Sequence, residues 1–300
     1  MPEKQIFDLR KKVFFTEKVY GQSFLAFFCQ NNLPAKFLRW LFGRFAFFSQ
    51  LLGLWQKSFF SKKQIWPFLK KYQIDSSEFV KKPEEFTSFN DFFVRRLKPE
   101  KRPISSEALI LPADARYLVF ENLAQTGPFW LKGRRFDLKS LLQDGPLAEE
   151  YREGALAIAR LAPVDYHRFH FPCQARAKPA RLIRGSFYSV NPQALRLKPE
   201  TLWENKRCLI ELETELFGRV LAVAIGAALV SSIQTTYEPG IVYPKGAEMG
   251  YFAFGGSTLV LLFLKNKVLF KDELQQLSAR GIESYALMGG GLGITCRRRT

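Results

Sequence analysis

The sequence predicts an α+β protein, with an N-terminal aromatic, basic helical arm followed by a β-rich domain. Three observations predict it. Apolar residues cover most of a helical wheel drawn over residues 36–57. Short apolar or alternating runs separated by turn residues dominate from about residue 109 onward. Phenylalanine and positive charge crowd the first third, where 19 of the 30 Phe and +11 of the +17 net charge fall within residues 1–103.

At about 100° per residue, Lys36, Arg39, Gly43, Gln50 and Lys57 fall on one narrow stripe. Phe37, Leu38, Trp40, Leu41, Phe45, Phe48, Leu51, Leu52 and Trp55 cover most of the remaining surface. A face this broad must be buried, either in protein or in lipid. Trp and Phe bordered by Lys and Arg suit an interfacial helix. Residues 14–72 are expected to form helical segments. A polar connector follows over residues 75–103, with a short helix over 86–97 and a basic, proline-punctuated end, Lys98-Pro-Glu-Lys-Arg-Pro103. The expected division is therefore 1–103 as a membrane-associating arm and connector, and 104–300 as the β-rich domain.

In the second part, strands are expected at residues 117–121, 129–132, 155–161, 180–186, 208–216, 220–230 and 259–264. A helix is expected over 271–280. Apolar stretches are broken by Lys, Arg, Asn or Pro before they reach the ~20 residues that span a bilayer. The first ten residues lack the apolar core of a secretory signal. A peripheral membrane protein at the cytoplasmic face of the cell membrane is the expectation.

Composition also narrows the chemistry. Cys29, Cys173, Cys208 and Cys296 are far apart, which leaves no disulfide framework and no local metal knuckle. With two histidines in the chain, no metal site is expected. The basic balance is compatible with nucleic acid, but no recognisable module for it is present, so nucleic acid is not an expected partner.

Three segments carry groups that could do chemistry. His167 and His170 lie three residues apart in Pro163-Val-Asp-Tyr-His-Arg-Phe-His-Phe-Pro172, behind Asp165. Imidazole is the side chain best suited to move protons near neutral pH. Asp114 sits in Leu111-Pro-Ala-Asp-Ala-Arg116, and a lone Asp in such a turn is commonly a cap. Ser257 follows Gly255 and Gly256 at the mouth of an apolar run. The glycines leave the Gly256 carbonyl open to approach, and a Gly-Ser peptide is where a hydroxyl can attack its own preceding carbonyl. Ser257, a histidine and Asp114 could together form a hydroxyl–imidazole–carboxylate triad.

In this order the segments resemble the phosphatidylserine decarboxylase family, from about Phe86 to the C-terminus. Phe92-Phe-Val-Arg-Arg-Leu97 with Arg102-Pro-Ile104 is similar to its entry motif, and Pro112-Ala-Asp114 to its Pro-Ala-Asp turn. Asp165-Tyr-His-Arg-Phe-His170 with Pro172 is similar to its most specific motif. Gly185, Val190-Asn-Pro192 and Asn205-Lys-Arg207 match further segments, and Gly256-Ser-Thr258 resembles the processing site. Two departures stand out. Ala115 replaces the usual Gly after the Asp, and Gly255 with Gly256 lengthens the stretch before Ser257 by one residue.

The resemblance implies a proenzyme with a β-rich catalytic domain that cuts itself between Gly256 and Ser257. His170 would act as base and Asp114 would orient it. Ser257 would become a covalent pyruvoyl group, the cofactor, heading a 44-residue α chain (257–300) that stays associated with β chain 1–256. The pyruvoyl group would form a Schiff base with phosphatidylserine, and CO2 would leave to give phosphatidylethanolamine, a step of phospholipid biosynthesis. His167 would handle protons in that phase. The implied partners are phosphatidylserine in membranes and an anionic phospholipid surface; an oligomer is compatible with this reading. Two other functions use the same residues: a serine hydrolase that turns over an ester with its chain intact, and a basic lipid-binding protein without catalysis.

Overall fold

The computed structural model describes residues 5–17, 55–124, 137–186, 200–226, 233–253, 255 and 257–296. The strands are Gln5–Asp8 (β1), Val13–Thr16 (β2), Leu109–Ile110 (β3), Ala115–Phe120 (β4), Ala155–Leu161 (β5), Arg168–His170 (β6), Ala175–Ala177 (β7), Arg181–Ile183 (β8), Arg207–Thr214 (β9), Gly218–Gly226 (β10), Ile233–Thr235 (β11), Val242–Tyr243 (β12), Glu248–Phe252 (β13), Ser257–Phe263 (β14), Val268–Phe270 (β15), Glu283–Ala286 (β16) and Gly291–Thr295 (β17). The helices are short: Ile65–Tyr72 (α1), Phe89–Phe93 (α2), Leu138–Leu142 (α3), Gly145–Glu150 (α4), Thr201–Glu204 (α5) and Asp272–Ala279 (α6). The protein is thus a β-rich mixture of helix and strand.

One large sheet organises the molecule, in the order β12-β7-β9-β10-β14-β5-β4-β16-β1-β2, with β8 added beside β9. Two three-stranded sheets, β11-β13-β6 and β15-β17-β3, complete it. Strand β14 lies in the middle, antiparallel to β10 on one side and β5 on the other. All seven of its residues are buried. A central strand covered on both faces needs apolar, β-branched residues throughout, which is why Ser-Thr-Leu-Val-Leu-Leu-Phe does not alternate in polarity. Leu259, Leu261 and Phe263 enter the larger core, with Tyr117, Phe169 and Phe252. Val260 and Leu262 point the opposite way, into a core shared with Leu141 and Leu142 of α3 and Tyr151 just past α4.

The short helices follow local signals. The Ser88 hydroxyl caps α2 by accepting the Asp91 N–H at 3.1 Å. In α1, Ile65, Phe68 and Leu69 form one buried stripe, and Gln73 ends the helix in the left-handed region. These two helices meet in an aromatic cluster of Phe68, Phe79, Phe86, Phe89, Phe92 and Phe93.

Several expectations are corrected. Residues 14–16 are strand, not helix: β2 pairs with β1, and β1 lies parallel to β16, so the first residues belong to the main sheet. Phe14 packs edge-on against Phe7 and Phe15 against Tyr285, a pairing that an extended hairpin provides. The helix expected over 86–97 is confined to Phe89–Phe93, because residues 79 and 97 instead bridge as extended chain. The strands expected near 155–161, 208–216 and 259–264 are present, as is the late helix. The wheel over residues 36–54 and the strand expected at 129–132 lie outside the described residues. In the part of the arm that is described, Trp55, Phe59, Phe60 and Trp66 are exposed. No helix among the described residues is long and apolar enough to cross a membrane.

Candidate active site

The segments singled out in the sequence meet at one end of the large sheet. Ser257 opens β14 opposite Leu161, the last residue of β5, and the same row continues to Ala115 and Ala286. Asp114 immediately precedes β4, and the chain leaving β5 turns through Asp165 to His167. Strand β6, carrying His170, pairs with β13, which leads towards Ser257. The His170 main-chain N–H donates to Pro112 O at 2.8 Å, which holds the second histidine beside the Pro-Ala-Asp turn. Tyr117 fixes that turn from below: its hydroxyl donates to Ala113 O at 2.5 Å and accepts from Ala113 N at 3.2 Å.

Asp114 is buried and fully engaged. Arg102 Nε reaches both carboxylate oxygens at 3.0 and 3.1 Å, Arg102 Nη2 donates to Oδ2 at 2.6 Å, and Met288 N donates to Oδ1 at 2.8 Å. Arg102 also pairs with Glu78 at 3.1 Å. The carboxylates hold the Arg102 guanidinium above its ordinary pKa despite burial.

The two histidines share a tautomer and differ in what they face. His167 Nδ1 lies 3.0 Å from Asp165 O and His170 Nδ1 lies 3.0 Å from Gly246 O. A carbonyl can only accept, so each Nδ1 carries the proton and each Nε2 is the basic nitrogen. His170 Nε2 accepts from the Tyr166 hydroxyl at 3.2 Å. His167 Nε2 is buried without a hydrogen-bond partner among the described residues. The His167 ring packs on Phe93, 4.0 Å between centroids. Burial is the main reason its pKa falls to about 3, opposed by the carbonyls of Asp165 and Gly255 that face it. His167 is therefore a neutral imidazole whose open nitrogen belongs to the surroundings of the Gly255–Ser257 segment. Burial lowers the His170 pKa as well, and the Gly246 carbonyl, Glu248 and Asp114 act the other way.

Ser257 is completely buried, and its Oγ has no hydrogen-bond partner among the described residues. Gly255 has φ +137°, a backbone angle open to glycine and strained for other residues. Gly250 lets three strands close up: a Cβ there would sit 2.3 Å from Gln234 O and 2.6 Å from the Phe169 ring. Gly256 lies outside the described residues.

The predicted residues are thus gathered, but the triad is not joined by hydrogen bonds among the described residues. Asp114 is held by Arg102 rather than by an imidazole, and His170 is oriented by Gly246 O rather than by Asp114. Sequence reasoning missed four participants. Arg102 was quoted only as part of a motif, and Tyr166 only as a neighbour of the histidines. Arg95 donates from Nη2 to Asp165 O at 3.0 Å, the same carbonyl that holds His167. Arg116 pairs with the Asp165 carboxylate. A buried arginine has no sequence signature beyond the charge itself.

Comparisons with known proteins supply the family. The family described as phosphatidylserine decarboxylase matches residues 89–280. The chain is 44% identical over 282 residues to the phosphatidylserine decarboxylase proenzyme of Chlamydia muridarum (strain MoPn / Nigg), covering 93% of this chain and 89% of that one. It is 41% identical over 295 residues to that of Chlamydia pneumoniae, covering 98% of each. It is 43% identical over 284 residues to that of Chlamydia caviae, covering 94% and 95%. The site and the matches define a decarboxylase, a carboxy-lyase. The chain belongs to the phosphatidylserine decarboxylase family.

Proposed function

We propose that the chain converts phosphatidylserine to phosphatidylethanolamine and CO2 with a pyruvoyl group that it makes by cutting its own Gly256–Ser257 peptide. Family membership supports the overall reaction. One observation carries the mechanism: a wholly buried serine hydroxyl with no partner among the described residues, at the start of a central strand, two residues after a glycine at φ +137°. Burying a hydroxyl unbonded costs stability, so such a group is expected to have a chemical role.

Ser257 Oγ attacks the Gly256 carbonyl carbon. The C–N bond breaks, an ester forms, and the serine nitrogen takes a proton. The Cα proton of residue 257 is then removed and the Cβ–O bond breaks, leaving a Gly256 carboxylate and a dehydroalanine. Water adds to the tautomerised dehydroalanine and ammonia leaves, giving the pyruvoyl group. His170 is the base for the first step. Its Nε2 is the basic nitrogen, the field of Asp114 favours its protonated form, and Ser257 takes the place of Tyr166 as donor. Asp114 acts through its charge, and Gly246 O fixes the ring.

The pyruvoyl group supplies a carbonyl that draws electrons from the substrate as CO2 leaves. The residues fit such a group, because position 257 is wholly buried and so shielded from water, and His167, which lies against Gly255, is neutral. CO2 leaves the reacting carbon and a proton takes its place; His167, neutral and with no partner at Nε2 among the described residues, picks up a proton at Nε2 and delivers it to that carbon. Within residues 1–103, the β1–β2 hairpin joins the main sheet and the rest serves as the membrane-associating arm and connector; 104–300, with that hairpin, form the catalytic domain. The two chains stay together, because β14 is paired along its whole length with β5 and β10. The protein works as a peripheral protein on an anionic phospholipid surface at the cytoplasmic face of the cell membrane.

The test is the covalent state of the purified protein. Intact mass should give chains 1–256 and 257–300, the second with a blocked N-terminus that borohydride reduces. A full-length chain that still releases CO2 from phosphatidylserine rules the pyruvoyl mechanism out.

A further inference from the structure

Beneath the site, on the face of the sheet opposite Ser257, lies a buried ion cluster that the reaction as described does not use. Thr258, Arg160, Arg116 and Tyr285 form one row across β14, β5, β4 and β16. Arg160 Nη2 donates to Glu17 Oε2 at 2.9 Å and to Glu283 Oε2 at 2.7 Å. Arg116 pairs through Nε with Glu17 Oε1 at 2.8 Å and through Nη1 with Asp165. Every one of these side chains is at most 9% exposed. Glu17 is the last described residue before position 18, where the stretch assigned to the arm continues.

Asp165 is the hinge of the arrangement. Its carboxylate accepts from Arg116 and from Ala162 N, the latter at 2.6 Å, and so ties down the turn leaving β5. Its carbonyl accepts from His167 Nδ1 and from Arg95 Nη2. Whatever shifts Asp165 moves the His167 ring, and Arg116 is held between Asp165 and Glu17.

We propose that Glu17 is a positioning residue for His167, acting through Arg116 on Asp165, and that it thereby links the start of the arm to the site. The proposal rests on the decarboxylase reading above.

The charge balance makes it testable. The cluster has two guanidinium groups and three carboxylates, one carboxylate in excess. Burial raises the Asp165 pKa to about 6; Arg116 and the Ala162 N–H oppose the rise, and Glu17 and Asp114 add to it. The other charged or titratable groups around it are Arg95, Arg160, Tyr117 and Tyr285. Below about pH 6 a protonated Asp165 releases Arg116 and the turn, so activity should fall on that acid limb. Removing the Glu17 charge favours the ionised Asp165 and should move the limb to lower pH.

The experiment follows decarboxylation of phosphatidylserine in mixed micelles from pH 4.5 to 8, with the full-length protein and its variants, each first checked for folding by thermal unfolding. Each rate is referred to the fraction of the variant that has split into two chains, so that slow maturation is not read as slow decarboxylation. Glu17→Gln should shift the limb about one unit to acid. Asp165→Asn should have no limb in this range. Glu17→Asp keeps the charge but is one methylene shorter. It should leave the limb in place and lower kcat about tenfold at unchanged KM, as expected when a proton-handling group is held slightly out of position. A folded Glu17→Gln protein with the wild-type limb overturns the proposal, as does a wild-type limb in Asp165→Asn. If Glu17→Gln does not fold, a wild-type kcat in Glu17→Asp overturns it. Failure of the wild type to split into two chains would sink the pyruvoyl reading instead, and the gel that shows the splitting separates the two failures.

Discussion

Ser257 faces Leu161 across β14 and β5, at the end of the sheet where the Asp114 turn and the histidine segment also arrive. Ser257 is thereby fixed by main-chain pairing on both sides of its strand. Ser257→Ala loses one hydroxyl that had no partner, so the fold should be kept or slightly stabilised. The variant should remain one chain of 34.6 kDa on a denaturing gel, while the wild type splits. A split Ser257→Ala protein would show that another group, or a contaminating protease, cuts the chain.

Removing charge and removing hydrogen bonds should separate at Asp114. Asp114→Asn keeps the shape that Arg102 and Met288 hold but loses the field on His170. It should fold and mature at least tenfold more slowly, read by pulse-labelled chain splitting. Arg102→Ala strands a buried carboxylate and should cost about 3–5 kcal/mol of stability in chemical denaturation. Equal stability losses in the two variants would show that Asp114 is only structural.

The two histidines should divide the work. His170→Ala should block or greatly slow maturation. His167→Ala should mature more readily than it decarboxylates, since its open nitrogen is reserved for the second phase. Full maturation of His170→Ala would overturn this division.

His167 also leaves a mark on stability. Its pKa is about 3 in the folded protein against about 6.5 unfolded, so between these values the unfolded chain binds the extra proton. Stability should therefore fall as pH drops from about 6.5 towards 3, by up to ~1.4 kcal/mol per pH unit from this group. Asp165, raised to about 6, acts in the opposite sense. Comparing Ser257→Ala with Ser257→Ala/His167→Gln in urea melts isolates the histidine. Parallel pH curves for the two proteins would contradict a buried neutral His167.

Membrane binding should depend on the arm. Flotation with liposomes should be stronger with anionic lipid and weaken with salt, because exposed charges are screened. Replacing the exposed Phe59, Phe60 and Trp66 with serine should release the protein without unfolding it. Replacing Phe37, Trp40, Phe48 and Trp55 by polar residues tests the remainder of the arm. A folded variant lacking all seven aromatics that still floats would assign the anchor to the catalytic domain.

The sequence revealed the strands whose neighbours bury both faces, such as β5 and β14, because a continuous apolar run bounded by turn residues has few alternatives. It revealed Ser257, Asp114 and the histidine pair because motifs are written in consecutive residues. The Glu17–Arg116–Asp165 chain was hidden, since its members are 99 and 49 positions apart in a chain rich in ordinary surface charge. Part of the hairpin β1–β2, residues 14–16, was misread as helix because Phe14 and Phe15 resemble the Phe residues of the arm that follows. Its strand character comes from β16, a partner more than 260 residues away.

The place of β14 has one more consequence. The strand is the middle plank of the large sheet, yet in the reaction proposed above the peptide bond that enters it is the one that is cut. Before the cut, every residue finds its partner within a single chain. Afterwards the same sheet could be rebuilt only by two separate molecules meeting in solution, with the hydroxyl that linked them already consumed. The mature enzyme is therefore a protein that folds once: it persists because it is slow to come apart, not because it can find its way back. Unfolded Ser257→Ala should recover its structure on dilution from urea, whereas the unfolded mature enzyme should recover little, and less as it is made more dilute.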